Sequence, residues 1–105
     1  MITQHHTLEE VHHAVKVLAL VSGEESRARW QDDPIDFVTH LCLIHSEVSE
    51  ALEAYRSDKM DDKIPTRKGE EVELADALLR ICLLAHRKGY DLPGAVCDKI
   101  EYNAQ

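Results

Sequence analysis

At 105 residues the chain has room for one domain with a modest core, because a domain of this size buries only about two-thirds of the surface its unfolded chain exposes. Hydrophobic residues at 44% and charged residues at 30% place it among globular proteins, while 5% aromatics and few β-branched runs favour an all-α fold over a sheet. Twenty acids against 12 bases give a net charge of −8 with no basic cluster to neutralise a row of phosphates, which argues against nucleic acid as a direct partner.

Residues 1–10 lack an apolar core of signal-peptide length, and no stretch approaches the roughly 20 apolar residues that span a membrane. The expectation is a cytoplasmic protein with residues 1–105 forming a single domain. Cys42, Cys82 and Cys97 are odd in number and include no Cys-x-x-Cys pair, so each reads as a small buried thiol rather than part of a disulfide framework or zinc site.

Thr7-Leu8-Glu9-Glu10 has the form of a capping box. It opens a first helix whose stripe of Leu8, Val11, Val15, Leu18 and Val21 ends near Val21. Residues 22–31 are polar, contain Gly23 and read as a connection, in which Trp30 either packs on the core or stacks on a nucleobase. Asp33-Pro34 signals the start of a long second helix, with Phe37, Leu41, Ile44, Val48, Leu52 and Tyr55 as its core-facing stripe. Residues 57–66 are too polar and too interrupted to continue it, and read as an exposed, mobile loop.

A third helix runs from about Lys68 to Lys88 and is stopped by Gly89. Pro93 opens a fourth, which carries Val96, Lys99, Ile100 and Asn103 and ends near Gln105. The pairs His5-His6 and His12-His13 read as solvated, and His45 and His86 as structural.

Two acidic pairs stand out. Glu47-Val48-Ser49-Glu50 lies on the second helix and Glu73-Leu74-Ala75-Asp76 on the third, each pair on one helical face. Glu47 and Glu50 sit at the edge of an apolar arc, and the third helix is apolar nearly all round except for a seam of Glu73, Asp76, Arg80 and Arg87. On an exposed face a like-charged pair costs a few tenths of a kcal/mol. Near a core, two carboxylates about 5 to 6 Å apart repel by roughly 3 kcal/mol at an effective dielectric of about 20, so protons or cations must relieve them. Oxygen-only ligands suit Mg²⁺ or Mn²⁺, which take phosphate oxygens as further ligands. Arg80, one turn after Asp76, either pairs with that acid or meets a phosphate.

Glu-x-x-Glu, 22 intervening residues and then Glu-x-x-Asp, all on helices, resembles the metal-binding signature of the MazG-like nucleoside triphosphate pyrophosphatases, a superfamily related to the dimeric dUTPases. Lys99-Ile100-Glu101-Tyr102-Asn103 resembles that family's closing motif, whose Lys and Asn meet substrate phosphates. The likeness covers residues 37–103 and departs at one point: the family motif continues with an Arg shortly after the Asn, where this sequence has Ala104 and Gln105.

The resemblance implies an all-α, four-helix bundle-like MazG fold completed by homo-oligomerisation as a dimer or dimer of dimers. It also implies an enzyme that uses Mg²⁺, held by Glu47, Glu50, Glu73 and Asp76, to cut a nucleoside triphosphate between its α and β phosphates, with a house-cleaning role against unwanted nucleotides. Lys99, Asn103, Arg80, Tyr102 and Trp30 are the candidate substrate contacts. The rival readings are a helical protein-interaction module and an inert carboxylate metal-binding bundle.

Overall fold

The computed structural model describes residues 5–30 and 36–105, with side chains described for all of these except 25–30. Among the described residues there are four helices, α1 (Leu8–Trp30), α2 (Phe37–Ser57), α3 (Gly69–Lys88) and α4 (Leu92–Asn103), and no strand. None of these helices is long and apolar enough to cross a membrane. The chain divides into two compact units, one of Met1–Gln31 with Cys82–Gln105 and one of Asp32–Ile81. The first is called the terminal unit and the second the central unit.

In the terminal unit the capping box forms as the sequence requires. The Thr7 amide donates to Glu10 Oε1 at 2.9 Å and the Glu10 amide donates to Thr7 Oγ1 at 3.2 Å. The helix does not end near Val21. It runs unbroken to Trp30, so residues 22–30 are helix rather than connection. Glu24, Glu25, Arg27, Ala28 and Arg29 are good helix formers and outweigh the roughly 1 kcal/mol that Gly23 costs relative to Ala.

Gly23 serves packing instead. A Cβ at that position would lie 2.7 Å from His86 Cδ2, so the glycine leaves room for the imidazole on α1. Leu8, Val11, Val15 and Leu18 are half-buried as the stripe demands, whereas Val21 is exposed and Ser22 is the buried residue of that turn. The Ser22 hydroxyl donates to the Leu18 carbonyl, which lets a polar side chain sit inside.

α3 ends where Gly89 takes a φ of +72°, a left-handed conformation favoured by glycine. Asp91 then caps α4 by accepting the Gly94 amide at 3.0 Å, with Pro93 in the first turn. α4 packs on α1, and the Cys97 thiol donates to the Leu8 carbonyl. Cys82 is buried and Cys97 half-buried, but Cys42 on α2 is exposed, against the expectation of three buried thiols.

The central unit is an antiparallel pairing of α2 with the first part of α3. Gly69 at the start of α3 lies against Ala54 near the end of α2, and Arg80 further along α3 reaches back to Glu47. The described part of α2 begins at Phe37 with Asp36 at the N-cap position; Asp33-Pro34 lies outside the described residues. α2 stops at Asp58, which adopts the left-handed conformation that Asp tolerates.

The loop that follows is exposed but held by backbone bonds. Asp61 N donates to Arg67 O, Gly69 N donates to Lys59 O, and Asp61 Oδ2 accepts the amides of Lys63 and Ile64.

The inward face of α2 differs from the stripe read in the sequence. His40, Glu47 and Ala51 are buried, with Leu43 and Ala54 half-buried beside them. Leu41, Val48, Leu52 and Tyr55 face solvent, at 40% to 70% exposure. The helix is thus turned by about one residue, or 100°, from the apolar expectation. The physical reason is close approach: small Ala51 and Ala54 let α3 come near, and Glu47 finds a donor in Arg80.

Candidate metal centre

Glu47 projects from α2, and Glu73 and Asp76 lie one turn apart on α3. One carboxylate oxygen from each lies within 4.8 Å of the others, a spacing suited to a shared cation. Glu47 is buried, Glu73 half-buried and Asp76 exposed, so the cluster grades from interior to solvent. Glu50, one turn after Glu47, is exposed and stands outside this convergent set, yet it hydrogen-bonds with Glu73 and acts on it by charge.

Arg80 Nε donates to Glu47 Oε1 at 2.9 Å, with the two side chains 28% and 12% exposed. Its hydrogen bond therefore crosses to α2 instead of going to Asp76 on its own helix, although its charge still favours the ionised form of Asp76. The sequence offered Asp76 or a phosphate as its partner. A cross-helix contact depends on the register of α2 against α3, which no single-helix pattern encodes.

The cluster holds protons as a metal-free acid site must. Glu73 is pushed up to about 8, first by its hydrogen bond with Glu47, then by burial and by Glu50. Burial pushes Glu47 up, but hydrogen bonds from Glu73 and Arg80 outweigh it, and Glu47 lies below the ordinary range. Asp76 is raised by burial and then by the charge of Glu47. At neutral pH, Glu73 therefore carries the proton that Glu47 accepts. Glu73 Oε2 is buried and receives no hydrogen bond, a costly state for a carboxyl oxygen unless another ligand satisfies it.

Two residues that act on the cluster, Asp61 and Lys63, were not singled out in the sequence. The charges of Asp61 and Lys63 on the α2–α3 loop act on Asp76, so the loop comes near the open side of the cluster. Nothing in the local sequence signals that proximity, since the antiparallel bridge between Met60 and Lys68 shapes the loop.

The remaining candidates belong to the terminal unit. Lys99, Tyr102 and Asn103 are exposed on α4 in the terminal unit, with the Lys99 ammonium 4.7 Å over the Tyr102 ring. None of them lines the cavity of about 360 Å³ in that unit, which opens among His12, Lys16, His86 and Tyr90. Trp30 is the last residue of α1, and its side chain lies outside the described residues. The chain matches no family model, no characterised protein and no solved structure.

Proposed function

We propose that this chain is a Mg²⁺-dependent nucleoside triphosphate pyrophosphohydrolase that releases a nucleoside monophosphate and pyrophosphate, in the manner of the MazG-like enzymes its motifs resemble. The observation that carries the reading is the convergence of Glu47, Glu73 and Asp76 within 4.8 Å, with one buried carboxyl oxygen left without a donor. An all-oxygen donor set of this kind fits Mg²⁺, with Mn²⁺ as a substitute, and fits zinc poorly.

When bound, the metal would supply the positive charge that an acidic protein needs to attract a polyphosphate and to offset charge developing on its oxygens. Glu47, Glu73 and Asp76 would hold it. Glu50 is exposed and outside the convergent set, and so is the carboxylate left to take a proton from the attacking water. That water forms a bond to the α phosphorus, the bond from the α phosphorus to the bridging oxygen breaks, and pyrophosphate leaves with the electron pair. Among the described residues, Arg80 is the guanidinium hydrogen-bonded to this cluster, and Lys99, Tyr102, Asn103 and Trp30 are candidate substrate contacts through the resemblance alone.

The reading extends to assembly. Leu41, Val48, Leu52 and Tyr55 on α2 and Leu74, Leu78 and Ile81 on α3 form same-face rows at 40% or more exposure, and a second copy of this chain is the proposed cover. The physiological role that follows is removal of non-standard or excess nucleotides.

Purified protein is incubated with a panel of nucleoside triphosphates and Mg²⁺, and pyrophosphate is measured. Release above a Glu50→Gln control supports the enzyme, and its absence across the panel refutes it. Thermal shift separates the rivals: an interaction module responds to neither metal nor nucleotide, an inert metal-binding bundle to metal alone, and the enzyme to both together beyond their sum.

A further inference from the structure

Arg80 is joined by a short hydrogen bond to the most buried carboxylate of the cluster. A guanidinium in that place is the protein's own counter-charge, and it competes with any cation that Glu47 would ligate. It uses Nε for the contact with Glu47. Its two terminal nitrogens form a planar fork of the shape that grips a phosphate through two parallel hydrogen bonds. The side chain is 28% exposed, so it is not sealed from solvent.

We propose that Arg80 is a metal-released phosphate clamp. It is held on Glu47 in the metal-free protein, and a divalent cation taken by Glu47 frees it to bind the polyphosphate of the substrate, so that metal and nucleotide bind cooperatively. This deepens the metal-dependent reading above and rests on it. The coupling arises because one carboxylate cannot serve both positive groups equally well, and the nucleotide is the ligand that gains from the one displaced. Arg80 thereby contributes specificity for anions presented together with a metal over anions alone.

The test uses Mn²⁺ and an α,β-imido nucleoside triphosphate, which resists cleavage, with calorimetry on the whole chain. Wild type is compared with Arg80→Gln, which removes the charge, and with Arg80→Lys, which keeps the charge without the fork. Arg80→Gln is expected to bind Mn²⁺ alone about tenfold more tightly than wild type, because a competing charge a few ångströms away is gone. At saturating Mn²⁺ it is expected to lose at least about tenfold in affinity for the nucleotide analogue, with no difference from wild type when metal is omitted. Arg80→Lys is expected to keep wild-type Mn²⁺ affinity while losing nucleotide affinity, and it carries the test if the Gln variant does not fold.

Weaker Mn²⁺ binding by Arg80→Gln would make Arg80 a strut for Glu47 and overturn the proposal. Unchanged nucleotide affinity in both variants at saturating Mn²⁺ overturns it too, while leaving the metal-dependent function standing. Wild-type protein that takes up no Mn²⁺ removes both readings together.

Discussion

Glu73 sets the acid–base behaviour of the cluster. Its carboxyl is raised from the ordinary 4.5 to about 8, chiefly by its hydrogen bond with Glu47. A group with a raised folded-state pKa contributes stability that is full below its unfolded value and is lost as pH rises through its folded value. The metal-free protein is therefore expected to lose stability between about pH 4.5 and pH 8, and Glu73→Gln to flatten that slope, as read by melting temperature across the range. Wild type and variant with parallel profiles would disprove the assignment. A metal ligand must also shed this proton, so Mg²⁺ affinity should rise as pH approaches 8, with proton release visible as a dependence of calorimetric heat on the buffer's ionisation enthalpy. The inward bias of Glu47 and Glu73 was legible in the sequence, because apolar neighbours at helical spacing bracket them, whereas Glu50 and Asp76, read in the same way, are exposed. The cross-helix partner of Arg80 and the exposure of Cys42 were not, since both depend on how α2 is turned.

The elements show where local pattern suffices and where packing overrides it. The capping box at Thr7 and the stop at Gly89 are local hydrogen-bond and backbone devices, and both appear as written. Gly23 looked like a break because glycine is a poor helix former; the contact that explains it, His86, is 63 positions away in the chain. Gly69 makes the complementary case. A Cβ there would lie 2.8 Å from Ala54 Cβ and 3.1 Å from the Lys59 carbonyl oxygen, so the start of α3 approaches the end of α2 too closely for any side chain. Propensity would make Gly69→Ala stabilising, but the clash falls on backbone and a short side chain that cannot swing away. Gly69→Ala is expected to lower unfolding stability by about 1 to 3 kcal/mol in a denaturant titration. A neutral or stabilised variant would mean that the two helix ends are not held this closely.

At the scale of the molecule, the buried apolar side chains among the described residues are mostly small: Ala19, Ala51, Ala77, Cys82 and Ala85, with Leu83 and Leu84. The larger ones are displaced outward in rows. On α2, Leu41, Val48, Leu52 and Tyr55 share a face, and on α3, Leu74, Leu78 and Ile81 follow one another at helical spacing. Single exposed leucines are ordinary, whereas same-face rows on two neighbouring helices amount to an uncovered patch. Burying each such side chain would contribute about 1.5 to 3 kcal/mol, enough in sum to offset the entropy of association. The sequence stripe on α2 was read as core-facing, and the structure leaves Leu41, Val48, Leu52 and Tyr55 exposed instead. Sedimentation of the wild-type protein is expected to give a dimer or tetramer. The double variant Leu52→Asp with Leu78→Asp is expected to sediment as a monomer while keeping its helical circular dichroism, because both sites point away from the buried face that holds Glu47 and Ala77. A wild-type protein that sediments as a compact monomer at high concentration would show that these rows are tolerated in water, and the interface would have to be abandoned.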